Sequence, residues 1–330
     1  MLYIHGMGHF HPENKICNKF LEDLDIGTNH QWIIERVGIE NRHTVLDLEY
    51  IKQTKNHDTR GAAEASLYTN AETGKRAAEM AIARAGIDKG QIGMVIAGGC
   101  TPENSTPAEA CAIAAELEIS APCIDLNSAC SSFGAHIHFL SMLNDERVPD
   151  FLLIVSPENT TRTVDYSDRR GAVLWGDGTS AAVVSTKIPG KAVIRSTSLI
   201  SDPSGWNKVV IPRTGHFDQD GPAVQAFAVK KTSLTVKSIK ERYNGKANDI
   251  RFIGHQANLR MLENVCRRCD ISSDRHFFNV SQFGNTAAAG APTVLSQNWD
   301  HFHSGDVLAM VMVGAGLTWA GLSVEFNTED

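Results

Sequence analysis

The order of predicted helices and strands occurs twice along the chain, and this repetition limits the possible folds more than any other feature. Apolar periodicity predicts in the first half a helix at 71–85, a strand at 92–97, a helix at 107–117, a strand at 123–126, a helix ending near 143 and a strand at 151–155. The second half repeats this order with a helix at 223–242, a strand at 250–253, a helix at 258–268, a strand at 276–280, a helix ending near 301 and a strand at 307–313. Each half then closes with an apolar run, at 178–185 and at 318–326.

Strands that alternate with helices form βαβ units with mostly parallel pairing, and two similar halves predict two sheets packed in layers with helices between and outside them. We therefore divide the chain into a first half at 1–185, a second half at 223–330 and a connecting or cover segment at 186–222, which is rich in Gly, Pro, Ser and Asp.

Composition narrows the class of protein. The 330 residues carry a formal net charge of -7, which argues against nucleic-acid binding, because phosphate contacts need clustered Lys and Arg. No stretch reaches the roughly 20 apolar residues of a membrane span, and Met1–Phe10 lacks a signal-peptide core, so we expect a cytoplasmic protein. Seven scattered cysteines do not resemble a disulfide framework.

Three polar residues lie at predicted strand ends, where ligands collect in such folds. Cys130 occupies a turn between a strand and a helix, His255 follows 250–253, and Asn285 follows 276–280 as the rough counterpart of Cys130 in the second half. A helix N-terminus favours the thiolate, the nucleophilic form of cysteine. By themselves these residues are equally compatible with a packed thiol, a strand-end histidine and a helix cap.

Several motifs, in the same order and along nearly the whole chain, resemble the thiolase superfamily and within it the 3-ketoacyl-acyl-carrier-protein synthase III type of condensing enzyme. They are residues 32–42 (WIIERVGIENR), the Cys130 turn (NSACSSFG), 175–178 (WGDG), 254–260 (GHQANLR), 283–286 (FGNT) and 314–319 (GAGLTW). The resemblance implies the five-layered αβαβα thiolase fold, an internal duplication of two mixed, largely parallel sheets, and a homodimer.

The resemblance also implies the chemistry. An acyl primer would pass from coenzyme A to Cys130, and His255 and Asn285 would assist decarboxylative condensation with malonyl-acyl-carrier protein. The oxyanion hole would use the N–H groups of Cys130 and of the turn containing Ala315. Coenzyme A would be a substrate, with no permanently bound cofactor and no metal.

Residues for substrate binding follow from the same resemblance. The positions that hold coenzyme A correspond to Trp32, Arg36, Arg162 and Asn258. The face that docks the acidic carrier protein corresponds to Arg260, Arg267 and Arg268, although a merely solvated basic face is an alternative for the last two. Core packing is an alternative for Trp32, and an ordinary salt bridge for Arg36.

Two departures from the family pattern bear on the substrate. Thr106 stands where acetyl-specific members of the family have a bulky aromatic residue in the acyl pocket, which predicts a primer longer than acetyl; the alternative is that another side chain fills this space. Val224 occupies the place of an asparagine that contacts the pantetheine arm. A specialised ketosynthase of secondary metabolism, a non-decarboxylating acyltransferase and a catalytically silent partner subunit are therefore the alternative functions.

Two further motifs have a structural explanation. Cys266 and Cys269 have the spacing of a metal or redox pair, but no second pair or histidine cluster accompanies them, and we expect them at the surface edge of a helix. Gly6 and Gly8 lack the third glycine and the acidic partner of a dinucleotide site.

Overall fold

The computed structural model describes residues 1–143, 145–243 and 249–327. Its strands are β1 (Leu2–Phe10), β2 (Asn14–Cys17), β3 (Asn41–Thr44), β4 (Ile92–Ala97), β5 (Cys123–Asp125), β6 (Phe151–Glu158), β7 (Gly178–Ser185), β8 (Ala192–Ser201), β9 (Val209–Val210), β10 (Asp218–Gln219), β11 (Arg251–Gly254), β12 (Val307–Gly314) and β13 (Thr318–Phe326). Its α-helices are α1 (Asn18–Asp23), α2 (His30–Arg36), α3 (Leu48–Thr54), α4 (Asn70–Ala85), α5 (Glu109–Leu117), α6 (Ser132–Ser141), α7 (Arg169–Ala172), α8 (Gly221–Arg242), α9 (Leu259–Cys269), α10 (Val280–Phe283) and α11 (Gly290–Gln297).

The predicted duplication is visible in the strand order. The first half pairs its strands as β5-β4-β6-β7-β1, and the second half pairs its strands as β11-β12-β13-β8. In both halves the first two long strands are parallel, β4 with β6 and β11 with β12, and the following two pairings are antiparallel. The two sets join where Leu2–Ile4 of β1 pair with Ala192–Ile194 of β8, so the hydrogen bonding runs through nine strands.

Helices cover these sheets in the expected layers. α4 packs on the first sheet and on α5, while α8 packs on the second sheet and on α9. α6 and α11 lie between the sheets, because each contacts strands of both halves. One buried cluster of apolar side chains surrounds these two middle helices and includes Phe133, Ile137 and Leu295. The arrangement confirms the five-layered α/β fold class.

Two elements differ from the sequence-based expectation. The segment 276–280 was predicted to be a strand, but only His276 bridges to β11, at Phe252. The side-chain Oε1 of Gln256 accepts the N–H groups of Asn279 and Val280 instead, and this replaces the hydrogen bonds of a strand ladder. His276 thus lies beside β11 in the second half as β5 lies beside β4 in the first half.

The predicted connecting segment 186–222 contains a complete strand of the second sheet. β8 pairs with β13 from Ala192 to Ser201, and this pairing outweighs the turn-rich composition around it. Only the remainder of that segment, with the short strands β9 and β10, is available as a cover.

The two glycines near the N-terminus lie within β1 and serve packing. A Cβ on Gly8 would lie 1.9 Å from the carbonyl oxygen of Ala77, and one on Gly6 would lie 2.2 Å from that of Ala81. Glycine at both positions lets α4 approach the strand closely. None of the helices in the described part of the chain is both long enough and apolar enough to cross a membrane.

Candidate active site

Cys130 lies on a sharp turn at the N-terminus of α6. Ala129 has a φ of +47°, in the left-handed region, and the short 3₁₀ turn Ala129–Ser131 leads directly into the helix. The side-chain oxygen of Asn127 accepts the N–H of Ala129 at 2.7 Å and fixes this conformation. A Cβ on Gly314 would lie 2.9 Å from the nitrogen of Ser131, so the end of β12 packs tightly on the turn.

The second half of the chain repeats this turn before α11. Ala287 has a φ of +45°, a 3₁₀ turn follows, and the side-chain oxygen of Asn285 accepts the N–H of Ala287 at 3.0 Å. Superimposed on the first turn, Asn285 corresponds to Asn127, and Ala288 corresponds to Cys130. Asn285 therefore does not occupy the position of Cys130. It belongs to the equivalent turn of the second half. Because its oxygen is bound to Ala287, its amide N–H₂ is the end that can donate to a ligand.

Glu158, at the end of β6, links the second turn to the loop that follows β4. Its fully buried carboxylate accepts the N–H of Cys100 at 2.8 and 3.0 Å and the N–H of Ala288 at 3.0 Å, and it also accepts the hydroxyl of Thr101. Burial, followed by the charge of Cys130, raises the pKa of Glu158 to about 8. The sequence analysis did not identify Glu158, although an acidic residue that ends an otherwise apolar strand was a usable signal.

The thiol of Cys130 is buried and has two polar neighbours. Its Sγ lies 3.4 Å from the Sγ of Cys100, and its side chain also hydrogen-bonds to His255. The hydrogen bond from Cys100 is the largest cause that lowers the pKa of Cys130, and the hydrogen bond and charge of His255 lower it further, against the opposing effect of burial. The same contact with Cys130 raises the pKa of Cys100, so Cys130 is the more acidic thiol of the pair.

His255 directly follows β11 and is 7% exposed. Its Nδ1 has no hydrogen-bond partner among the described residues. The next residue, Gln256, holds the loop, because its amide nitrogen donates to the carbonyl of Gly254 and its oxygen accepts two N–H groups of the segment before α10. An imidazole held in this way can donate to an oxygen atom of a ligand beside Cys130.

Cys130, His255 and Asn285 line one cavity of about 370 Å³. Most of its wall is apolar, with side chains from α8, from the cover segment, from the segment that follows α7 and from the end of β12 that include Val173, Trp175, Val209, Phe217, Val224, Ala228 and Val313. Four of the residues expected to bind substrate also line it, namely Trp32, Arg36, Asn258 and Ala315.

The mouth of the cavity is basic and aromatic. The guanidinium groups of Arg36 and Arg169 each lie 4.9 Å from the centre of the Trp32 ring, and Arg170 lines the wall beside them. Asn258 caps α9 through the N–H of Met261 and donates to the carbonyl of Arg36, so it also holds α2 against α9. The sequence analysis did not identify Arg169 or Arg170.

The structure does not bring Arg162 to this cavity. Its guanidinium donates to the carboxylate of Glu103 at 2.7 Å, to the Ser66 hydroxyl and to the carbonyl of Tyr68. The residue is largely buried and all of these contacts are internal, so the expected role in binding coenzyme A is wrong for this position; Arg170 is the cation of this region that faces the cavity.

Thr106 likewise lies outside the cavity and is exposed on the loop between β4 and α5. The end of this loop is fastened to β5, because the carboxylate of Asp125 accepts the N–H groups of Glu109 and Ala110. Thr106 therefore does not form part of the acyl pocket within a single chain.

The basic residues of α9 differ in their surroundings. Arg260 donates to the carbonyl of Ile34 at 2.9 and 3.1 Å and pairs with Glu263, so it connects α9 to α2. Arg267 and Arg268 are exposed. Contrary to the expectation of a surface edge, Cys266 and Cys269 are buried, because this side of α9 packs on α8. Within the described residues no cluster of His, Cys, Asp or Glu has the composition of a metal site.

Comparison with known proteins agrees with this geometry. Residues 124–203 match the family model of 3-oxoacyl-[acyl-carrier-protein] synthase III, and residues 241–326 match the model of its C-terminal part. A beta-ketoacyl-[acyl-carrier-protein] synthase III of Coxiella burnetii is 31% identical over 329 residues, which cover 96% of each chain. The chain belongs to the 3-oxoacyl-[acyl-carrier-protein] synthase III family.

Solved structures support the same assignment. The synthase III of Aquifex aeolicus superimposes with a TM-score of 0.87 at 25% identity, over 99% of this chain and 100% of that one. The priming beta-ketosynthase of the R1128 polyketide pathway superimposes with a TM-score of 0.80, also at 25% identity, over 100% and 97% of the two chains. The family is one of acyltransferases with the thiolase fold, which confirms the class of enzyme expected from the sequence.

The lowered pKa of Cys130 leads to a prediction about its reactivity. Because only the thiolate reacts with iodoacetamide, alkylation of Cys130 should reach half of its maximal rate at a pH below the value of about 8.5 that is typical of a free cysteine. The C100A variant should shift this midpoint upward, because the hydrogen bond from Cys100 is then absent. The rates are measured by mass spectrometry of the peptide that contains Cys130, with an unstructured cysteine peptide as reference. A midpoint equal to that of the reference peptide would contradict the assignment.

Proposed function

We propose that the chain transfers an acyl primer from coenzyme A to Cys130 and then condenses it with malonyl-acyl-carrier protein, releasing carbon dioxide and a 3-oxoacyl product. The observation that carries this proposal is the convergence of a Cys130 thiolate, His255 and Asn285 on one cavity with an apolar wall. A nucleophile, two hydrogen-bond donors and space for an acyl chain are the groups that the two steps require.

In the first step the thiolate of Cys130 attacks the carbonyl carbon of the acyl thioester. The oxygen becomes negatively charged, and we assign the N–H groups of Cys130 and Ala315 as the donors that stabilise it. Support comes from the position of Cys130 at the N-terminus of α6, and from the tight packing of the Gly314 turn against it. Collapse of this intermediate breaks the carbon–sulfur bond, and coenzyme A leaves as the thiol.

In the second step a malonyl thioester replaces coenzyme A in the same cavity. Loss of carbon dioxide leaves negative charge on the thioester oxygen, where the imidazole of His255 and the amide N–H₂ of Asn285 can donate hydrogen bonds. The resulting carbanion then attacks the acyl carbon on Cys130, and the thiolate is the leaving group. Preoriented donors of this kind contribute about 10²–10³ each to the rate in comparable oxyanion sites.

Trp32, Arg36 and Arg170 are proposed to receive coenzyme A at the mouth of the cavity. An indole ring stacks on a planar base, and guanidinium groups pair with phosphates. Asn258, at the same wall, could donate to the pantetheine arm. Val224 adds apolar surface on the opposite side, which favours an apolar primer.

Asn285 provides the sharpest test of the condensation step. The N285D variant retains the oxygen that accepts the Ala287 N–H but loses the amide donor, so the turn should persist while decarboxylation slows by about 10²–10³. Acylation of Cys130 from acyl-coenzyme A should remain close to the wild-type extent. Labelled carbon dioxide released from malonyl-carrier protein measures one step, and intact-protein mass measures the other.

The C130A variant is the matched control, since it should lose both acylation and condensation. Equal loss of acylation and decarboxylation in N285D, with the circular dichroism spectrum unchanged, would refute the assigned role of Asn285. Unchanged decarboxylation in N285D would favour a different donor and would contradict the proposal equally.

Arg267 and Arg268 are proposed to dock the acidic carrier protein, because both are exposed near the end of α9, whereas Arg260 is held by Ile34 and Glu263. The R267E/R268E variant should raise the KM for malonyl-carrier protein several-fold and leave acylation by acyl-coenzyme A unchanged. Arg147 is exposed at the other end of the strands, just before β6, so R147E is the control. Equal effects of both variants on KM would exclude this docking face.

A homodimer through β5 is proposed for the assembly. β5 is at the end of the strand order, and Ile124 on it is 40% exposed, so a second β5 could extend the sheet. Light scattering should give twice the chain mass of 35.9 kDa, and I124K should give the chain mass itself. L234K is the control, because Leu234 is also exposed but lies on α8 in the outer layer. A wild-type monomer, or dimers of both variants, would contradict the proposal.

A specialised role in the priming of a secondary metabolite is the second candidate, favoured by the similarity to the R1128 priming ketosynthase. It shares both chemical steps and differs in the primer. A non-decarboxylating acyltransferase would lack the second step. A silent partner subunit would lack both steps. The presence of Asn285 and Cys130 in one cavity favours the condensing enzyme over both.

A further inference from the structure

The family assignment gives no role to Cys100, which contacts the nucleophile. Cys100 follows β4, and its Sγ lies 3.4 Å from that of Cys130, although 29 residues separate them in the chain. We propose that Cys100 is a resolving cysteine: a hydroperoxide oxidises Cys130, and Cys100 then closes a reversible disulfide that protects the nucleophile.

The backbone of Cys100 is held in place for this reaction. Its N–H is bound by the carboxylate of Glu158 at 2.8 and 3.0 Å, and Cys130 is fixed by the turn before α6. Disulfide formation requires the two sulfur atoms to approach to about 2.05 Å, which is a small change from their present contact.

The oxidant reaches Cys130 through the cavity. Cys130 lines this cavity, which is large enough for a small hydroperoxide, whereas Cys100 is partly exposed but does not line it. Cys130 also holds the thiolate of the pair, since its pKa is lowered while that of Cys100 is raised. Peroxides react with thiolates, so the first oxidation falls on Cys130.

The steps balance as follows. The Cys130 thiolate attacks the terminal oxygen of the hydroperoxide, the oxygen–oxygen bond breaks, and the alcohol or water leaves after taking up a proton. The sulfur has then lost two electrons and is a sulfenic acid. Cys100 attacks this sulfur, the sulfur–oxygen bond breaks, and the hydroxyl leaves as water with the proton of Cys100. A dithiol reductant returns both thiols.

A second pair of cysteines in the same region provides a comparison. The side chains of Cys111 and Cys123 also hydrogen-bond to each other, but neither lines the cavity, and burial raises the pKa of Cys123 to about 11. Both cysteines are more exposed than Cys130, but the raised pKa of Cys123 gives it less thiolate character. Oxidation at low peroxide should therefore link Cys100 to Cys130 before it affects Cys111 or Cys123.

In the test, the reduced full-length protein is treated with hydrogen peroxide and its remaining thiols are blocked with N-ethylmaleimide. It is then digested with a protease that cleaves after glutamate residues. This cleavage places Cys100 in the peptide 80–103 and Cys130 in the peptide 119–146. The expected product is a cross-link between these two peptides with a loss of about 2 Da, which dithiothreitol reverses. Because the peptide 119–146 also contains Cys123, the C123S variant is included, and it should form the same cross-link.

The C100S variant separates resolution from simple oxidation. Without Cys100 the sulfenic acid persists and is oxidised further, so Cys130 should gain about 32 Da as a sulfinic acid that dithiothreitol does not remove. The proposal is overturned if wild-type Cys130 reaches the sulfinic acid as fast as in C100S, or if the cross-link disappears in C123S. The wild-type result alone is decisive should C100S fail to fold.

The disulfide does not depend on the proposed function, because mass detects it in a protein of any activity. Only its consequence rests on that function: the cross-linked enzyme should lose more than about 90% of acylation from acyl-coenzyme A and regain it with dithiothreitol. If the cross-link forms in a protein that shows no acylation before oxidation, the proposed function is contradicted. The proposal that Cys100 is a resolving cysteine would still hold.

Discussion

The buried carboxylate of Glu158 is the contact on which the geometry of the site depends. It binds the N–H of Cys100 behind the nucleophile and the N–H of Ala288 in the turn that carries Asn285. Ala288 occupies in the second half the position that Cys130 occupies in the first. One side chain thereby links the loop that carries Cys100, the thiol neighbour of Cys130, to the turn that carries Asn285, although the two belong to different halves of the duplicated fold. Its raised pKa is the electrostatic consequence of burying an acid next to the Cys130 thiolate.

The two halves of the duplicated fold share one backbone conformation at their turns but carry different side chains there. Both turns carry an alanine at positive φ and an asparagine whose oxygen accepts the N–H of that alanine. In the first half the third residue after the asparagine is Cys130, the proposed nucleophile, whereas in the second half the asparagine itself faces the cavity. The middle helices α6 and α11 then hold both turns between the sheets, so packing in the core sets the relative positions of Cys130 and Asn285.

The fold and the three central residues could be predicted from the sequence, because periodicity and motif order are local signals. Cys130 follows β5 and His255 follows β11, as the alternation of helices and strands predicts, and Asn285 lines the same cavity although the strand expected before it is absent. Features that depend on pairing partners were not predictable in this way. β8 forms in a turn-rich segment because β13 lies beside it, and the expected strand at 276–280 is lost because Gln256 takes two of its N–H groups.

Side chains that act through contacts distant in sequence were missed for the same reason. Cys100 and Glu158 belong to separate strands that meet only in the folded sheet, and the interaction of Arg162 with Glu103 could not be read from a motif position. Arg170 reaches the cavity because its short helix lies beside the cover segment, which no pattern in the sequence indicates.

The most direct test of the central claim is to expose the protein to a mixed pool of acyl-coenzyme A thioesters, from acetyl upward, and to weigh the adduct that remains. The account predicts one acyl group on the peptide that contains Cys130. An unmodified Cys130, or an adduct of the same mass in the C130A variant, would contradict the claim that this thiol is the acyl carrier.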